Sequence, residues 1–203
     1  MVVNNRTYVP KGYKGIPANA ELMFEGIILD VYQWDQPDFS GSTLRFEMLK
    51  RWDSVAVLAI TDDDKILINY EQQPHVGKFI DIPAGRHDYP KENEEQAAKR
   101  ELVEETGYKF KNWKLVKCVP NTIKIDSILY IFVAWEEISR QNQKLDSGEK
   151  ISTRAISLGK LKNLLTDENP EVSLRIAAAE KEFLLNLSSL DDLKAMPDLR
   201  DQA

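Results

Sequence analysis

The spacing of apolar and polar positions along this chain changes several times, and each change marks an element. Leu22 to Gln33 (LMFEGIILDVYQ) and Thr43 to Arg51 (TLRFEMLKR) are strand-like runs flanking Asp35-Gln-Pro-Asp-Phe-Ser-Gly41, a cluster of turn formers. They are expected to pair as an antiparallel hairpin with a longer loop. Ser54 to Thr61 (SVAVLAIT) is continuously apolar, the pattern of a strand covered on both faces. Asp62-Asp-Asp64 then turns the chain into Lys65–Tyr70 (KILINY), a second hairpin. Pro83 to Pro90 reads as loop. A helical period starts at Asn93, an N-cap residue with Gln96 three positions on in capping-box register, and stops at Gly107, a C-cap residue. Strands resume at Trp113–Val119 and Ile128–Trp135, and the polar Ser139–Lys150 is an exposed loop. Ile151–Ser157 is a last strand and Leu158–Leu165 a short helix. Asn169-Pro170 supplies a cap and a first-turn proline for a long amphipathic helix to about Leu187.

Strands first, a helix embedded among strands, and helices last predict an α+β fold, helices packed against mixed sheet in a sandwich. The ends differ from the middle. Residues 1–20 carry Pro10, Gly12, Gly15 and Pro17 and read as an irregular arm, while residues 189–203 read as a frayed acidic tail. The expected organisation is an arm and small antiparallel sheet over 1–52, a main domain over 53–188 and the tail over 189–203. With 203 residues there is room for one domain and an appendage, and 42% hydrophobic content suffices for a core.

Charge narrows the function. A net charge of −6 offers no basic footprint for nucleic acid or an anionic membrane. Cys118 is the single cysteine, so no internal disulfide forms, which fits a reducing compartment. Neither a signal-peptide pattern nor an apolar run approaching ~20 residues is present, and the expected location is the cytoplasm. An acidic protein that handles phosphates needs a cation between itself and them.

The chemistry concentrates in Pro83–Tyr108 (PAGRHDYPKENEEQAAKRELVEETGY). At about 100° per residue, Glu105 lies at about +40° and Glu104 at about −60° from Glu101, so three carboxylates share one arc. Arg100 stands at i, i+4 to Glu104 and can pair with it. Carboxylates grouped this way are ordinarily a solvated face, where each like-charge pair costs only about 0.2–0.5 kcal/mol. In a cleft, two charges ~5 Å apart repel by roughly 3 kcal/mol at an effective dielectric of ~20, which a divalent cation relieves.

The surrounding residues decide between these readings. Gly85, Glu92, then Arg100-Glu101-Leu102-x-Glu104-Glu105-x-Gly107-Tyr108 resembles the Nudix box, G-x5-E-x7-R-E-U-x-E-E-x-G-U, with every specified residue type present. One departure stands out: six residues, not five, separate Gly85 from Glu92, an insertion around Asp88–Lys91. Preceding strands, the Ile82-Pro83-Ala84-Gly85 lead-in, and a final strand followed by helices resemble the ADP-ribose pyrophosphatase branch, or nucleoside diphosphate sugar hydrolases, over roughly Leu22 to Leu187.

That resemblance implies a Nudix-fold α/β/α sandwich that cleaves a pyrophosphate bond with Mg²⁺ or Mn²⁺. It implies metal ligation by Glu101, Glu105 and the Ala84 carbonyl, with Glu104 close by and Glu149 contributed from the loop before the last strand. In some members a general-base glutamate lies two residues earlier, where this chain has Ser147; the base is then Glu149, Asp146 or Glu104. The implied substrate is ADP-ribose-like, giving a nucleoside monophosphate and a sugar phosphate. The rivals are nucleoside triphosphates or dinucleoside polyphosphates as substrates, or a non-catalytic nucleotide sensor, against which the intact glutamates argue. Related enzymes often hold the base between N-terminal aromatics, sometimes from a partner subunit, which points to Tyr32, Trp34 and Trp52, although sheet packing or a dimer contact is the readier explanation of aromatics in strands. Arg51 is the best candidate for a ribose or phosphate contact and Arg86 a second. A homodimer through the N-terminal strands is expected. His75 and His87 fall in loops, where histidines are ordinarily solvated. Lys124 and Asp126 fall where the family has a substrate-facing loop, with a surface salt bridge as the plainer alternative. Cys118 reads as core.

Overall fold

The computed structural model describes residues 4–167, 173–174 and 178–202. Along the chain run β1 (Glu21–Phe24), β2 (Leu29–Pro37), β3 (Thr43–Arg51), β4 (Asp53–Ala59), β5 (Ile66–Gln73), β6 (Gly77–Asp81), β7 (Ala84–His87), α1 (Glu94–Thr106), β8 (Tyr108–Pro120), β9 (Ile125–Asp126) and β10 (Ile128–Arg140). They are followed by β11 (Lys150–Ile156), α2 (Leu158–Thr166), β12 (Ser173–Leu174), α3 (Ala178–Asn186), α4 (Leu190–Ala195) and a 3₁₀ turn (Leu199–Gln202). The strands make three four-stranded sheets, ordered β1-β2-β3-β9, β7-β4-β10-β8 and β11-β5-β6-β12.

The expected hairpin of β2 and β3 is present and antiparallel, with Tyr32 opposite Met48. At Trp52 the chain passes from that N-terminal sheet to the central one. There β4 lies parallel to β10, with Val57 opposite Phe132, and β10 antiparallel to β8. Because successive strand residues point to opposite faces, β4 feeds two cores. Val55, Val57 and Ala59 pack with Ala97, Ala98 and Leu102 of α1, and with Tyr130 and Phe132. Ala56, Leu58 and Ile60 pack with Leu161 and Leu165 of α2, Leu184 and Leu187 of the α3 region, and Leu190 and Leu193 of α4. The result is the mixed α+β sandwich that the sequence pattern predicts, with its continuous apolar strand in the middle.

Several boundaries differ from expectation. The stretch Pro83–Pro90 contains β7, which pairs antiparallel with β4 so that Gly85 faces Val55. A four-residue strand of small and charged residues has no period to announce it. The strand β6 was likewise not expected. β8 begins directly after the helix, at Tyr108 rather than Trp113. Part of the helix expected from Asn169 lies outside the described residues. Within that stretch Ser173 and Leu174 form a strand parallel to β6, where hydrogen bonding to a sheet edge overrides the local helical pattern. The tail is not frayed: Leu190 and Leu193 stand three apart in α4 and are buried in the core. No helix among the described residues is long and apolar enough to cross a membrane.

Candidate active site

The helix α1 is held at both ends by local chemistry. Asn93 accepts from Gln96 N–H and the Gln96 side chain accepts from Asn93 N–H, a complete capping box. Gly107 ends it with φ 78°, and a Cβ there would lie 2.1 Å from the Gln141 carbonyl oxygen, so glycine is required twice over. Glycine is also required at Gly85, where a Cβ would fall 2.0 Å from the Glu101 carboxyl carbon. The box glycine thus lets the helix lay Glu101 directly on β7, where it accepts from Arg86 N–H at 3.1 Å. One turn later, Glu105 accepts from Ala84 N–H at 3.0 Å and from the Asn69 amide at 2.9 Å.

Arg100 binds the acidic residues into one system. Its guanidinium donates to Glu92 through Nε and Nη2 (3.1 and 2.8 Å). It also donates to Glu101 (2.7 Å), to Glu104 (3.0 Å) and to the Arg86 carbonyl (2.9 Å). Burial works against its charge, but these partners outweigh burial and hold its pKa above the usual arginine value. Glu101 is pushed up to about 7, chiefly by burial, with Arg100 opposing and the charges of Glu104 and Asp88 adding to the rise. Glu105, 6% exposed, is pushed well above the carboxylate range by burial and then by the charges of Glu71, Glu101 and Glu149. These acids repel one another in a desolvated place.

The chain beyond the helix completes the site. Residues 141–149 are tied to the end of α1, with Gln141 N–H donating to the Gly107 carbonyl (2.9 Å) and Lys144 N–H to that of Glu104 (2.8 Å). That loop brings Asp146 and Glu149 to a cleft of about 640 Å³. Around it stand Glu71, Ala84, Glu101, Glu104 and Glu105, together with Arg51 and Arg86. Arg51 has a buried Nε without a hydrogen-bond partner among the described residues.

Of the site residues expected from sequence, the structure brings Ala84, Arg100, Glu101, Glu104, Glu105, Glu149, Arg51 and Arg86 to this one cleft. It does not bring Trp34 or Trp52 there. Trp34 is buried in the N-terminal sheet with its ring 4.9 Å from that of Phe46, and Trp52 gives its carbonyl to Ser127. Tyr32 is likewise buried in that sheet. Asp126 is no surface acid: it is 5% exposed and bound to Arg6 and Tyr13, and Lys124 lies over the Phe46 ring. His87 is buried at 2% rather than solvated. Cys118, in β8, is partly buried against the core, and burial pushes its thiol up to about 12.

Sequence reasoning missed Asn69 and Glu71 on β5. Asn69 is fully buried, accepting from Thr153 Oγ1 at 2.8 Å and donating to Glu105. The one available signal was a polar residue interrupting the apolar run Ile66–Tyr70. The donor set suits a hard divalent cation, being carboxylate oxygens and a backbone carbonyl with excess negative charge. Among the described residues no ready cage of three acidic side chains is formed, since Glu101 and Glu105 are turned to backbone N–H groups, Arg100 and Asn69.

A NUDIX domain model matches residues 50–176. The ADP-ribose pyrophosphatase of Bacillus subtilis (strain 168) is similar at 33% identity over 142 residues, 68% of this chain and 76% of that protein. The methanol dehydrogenase activator of Bacillus methanolicus is 28% identical over 141 residues, again 68% and 76% of the two chains. The solved structure described as an ADP compounds hydrolase shares the fold with a TM-score of 0.65 at 21% identity, covering 85% of this chain and 91% of its own. The family match takes in Arg51, β7, the whole of α1 and the loop bearing Glu149, and so the protein belongs to the NUDIX family of hydrolases.

Proposed function

We propose that the protein hydrolyses the pyrophosphate bond of an ADP-ribose-like nucleoside diphosphate sugar, releasing a nucleoside monophosphate and a sugar phosphate. The observation that carries this reading is the make-up of the cleft. Mutually repelling acids (Glu71, Glu101, Glu105, Glu149) share it with Arg51, Arg86 and Arg100, and Arg51 has a buried donor without a partner among the described residues. A diphosphate together with a divalent cation would satisfy both sets of groups at once. The similarity to an ADP-ribose pyrophosphatase supports the choice of substrate.

The groups that would hold the cation, Mg²⁺ or Mn²⁺, are Glu101, Glu105, Glu149 and the Ala84 carbonyl. When bound, it supplies neutralisation of the diphosphate charge and a water of lowered pKa. The chain's own residues do the rest. Arg51 and Arg86 bind the anionic and ribose oxygens, where a guanidinium fork matches phosphate geometry. Arg100 fixes Glu101 and Glu104 relative to each other. Glu104 gives an oxygen to Arg100, so we assign proton acceptance from the attacking water to the loop carboxylates, Glu149 or Asp146.

We further propose a cytoplasmic homodimer, with no nucleic-acid partner, closed through the N-terminal sheet. Exposed apolar residues on and beside β1 and β3 (Met23, Phe24, Ile27, Leu44) support this reading.

The test is a phosphatase-coupled phosphate-release panel over ADP-ribose, UDP- and GDP-sugars, NADH and nucleoside triphosphates, with Mg²⁺ and with Mn²⁺. ADP-ribose is expected to give the highest kcat/KM. Turnover of triphosphates alone would overturn the substrate assignment, and turnover of none would overturn hydrolysis. Light scattering on the same preparation should give twice the 23.3 kDa chain mass, and a monomer mass removes the dimer.

A further inference from the structure

The box loop carries one residue more than the family spacing, and the structure shows how the surplus is absorbed. Tyr89 to Glu92 close a turn in which Glu92 N–H donates to the Tyr89 carbonyl at 3.2 Å. Pro90 occupies the second position, where its fixed φ suits such a turn. A loop closed in this way has no inherent reason to return Glu92 to the place Arg100 requires.

Two side chains supply that reason. The Glu92 carbonyl, immediately before the N-cap, accepts from His87 Nε2 at 2.8 Å and from Asn5 Nδ2 at 2.9 Å. A carbonyl can only accept, so His87 carries its hydrogen on Nε2. The ring is 2% exposed, and Nδ1 is buried without a partner among the described residues. An imidazole with one nitrogen unsatisfied is a poor choice for filling a core position, because a buried polar atom without a partner is destabilising. What the residue contributes is the bond from Nε2.

The same Glu92 carries that bond onward. Its carboxylate receives Nε and Nη2 of Arg100, which in turn holds Glu101 and Glu104. Arg86 O accepts from Arg100, and the Tyr89 ring lies 4.1 Å from the guanidinium carbon, so the lengthened loop wraps that one cation. Asn5 belongs to an arm fixed independently, since Thr7 and Tyr8 N–H both donate to the buried Glu94 carboxylate.

We propose that His87 and Asn5 are positioning residues. Together they pin the Glu92 carbonyl, so that the lengthened loop delivers the Glu92 carboxylate to Arg100 and keeps Glu101 and Glu104 aimed into the cleft. The inference rests on the hydrolase reading for its kinetic measurement and on cation binding alone for the other.

The experiment compares His87→Leu, His87→Gln and Asn5→Ala with the parent. Mn²⁺ binding is followed by EPR titration, kcat and KM on ADP-ribose by phosphate release, and folding by thermal melting. His87→Leu should weaken Mn²⁺ binding and lower kcat by about 10–100-fold, the scale of losing an outer partner of metal ligands, with KM nearly unchanged. His87→Gln, whose amide N–H can reach the same carbonyl, should restore both to within about threefold. Asn5→Ala, at an exposed site, should act in the same direction by about two- to tenfold, as for one neutral hydrogen bond. Parental Mn²⁺ affinity and kcat in both His87→Leu and Asn5→Ala overturn the proposal. So does a His87→Gln protein as impaired as His87→Leu. Should His87→Leu not fold, parental Mn²⁺ affinity in Asn5→Ala is sufficient to overturn it. A parent that binds Mn²⁺ yet hydrolyses nothing counts against the hydrolase reading, and the titrations then decide this one.

Discussion

The acids around Arg6 and the acids around Ala84 form two buried charge clusters of opposite character. In the first, Asp53 is wholly buried and accepts from Arg6 (2.7 and 2.8 Å), the Asn4 amide (3.2 Å) and Ile128 N–H (2.8 Å). Asp126 accepts from Arg6, from the Tyr13 hydroxyl at 2.7 Å and from Ile16 N–H at 3.1 Å. Burial pushes the Asp126 carboxyl up, but those donors hold it below its usual value. In the second cluster burial again pushes upward, and like charges from Glu71, Glu101 and Glu149 push the same way. A buried acid supplied with donors by its own chain is finished, and its work is to join the N-terminal arm to β4 and β9. Acids crowded together, which stay raised despite the donors they have, carry an excess of negative charge that a cation from outside would relieve. Burial of carboxylates alone therefore does not mark a site. The balance of their partners does.

The largest expected effect comes from removing one member of the unbalanced cluster. Glu105→Gln should lower kcat/KM by more than about 100-fold, beyond the ~10–100-fold typical of outer partners. Its melting temperature should stay level or rise, because a like-charge repulsion is gone. Near-normal turnover in that variant would mean the chemistry lies elsewhere.

The balanced cluster should respond in the reverse sense. Arg6→Met leaves Asp53 and Asp126 without their cation, which should cost roughly 3–5 kcal/mol of stability. For a chain of this size that lowers the melting temperature by roughly 6–20 °C. The folded fraction should lose no more in kcat than the roughly two- to tenfold assigned to the arm's Asn5. A stable Arg6→Met protein with collapsed kcat would erase the distinction between the clusters.

The smallest effect sharpens the electrostatics. Glu101 is raised to about 7 from an ordinary value of 4.5. Its folded form thus binds a proton more tightly than its unfolded form, and its contribution is fully present below about pH 4.5 and lost as pH rises through about 7. In EDTA, the melting temperature of the parent should fall across that window relative to Glu101→Gln, and millimolar Mg²⁺ should flatten the fall. Parallel curves for the two proteins, or no response to Mg²⁺, would remove the claim that Glu101 is strained by its surroundings.

Much of this was legible in the linear sequence, and the reason is geometric. Helix positions three and four apart are neighbours whatever the rest of the chain does. The arc of Glu101, Glu104 and Glu105, the pairing of Arg100 with Glu104 and both caps of α1 could therefore be read from spacing alone. The doubly covered strand β4 was equally legible, because burial on two faces leaves no polar alternation to hide it. What the sequence could not announce are neighbours created by sheet register and by chain crossing. Asn69 meets Glu105 across 36 positions, Asn5 meets Glu92 across 87, and Arg6 meets Asp126 across 120. The opposite fates of two sets of buried carboxylates were decided at those meetings. Spacing placed Glu101, Glu104 and Glu105 with Arg100 on one helix, and only the packed sheets gave Asp53 and Asp126 their cation and brought Glu71 and Glu149 against Glu105.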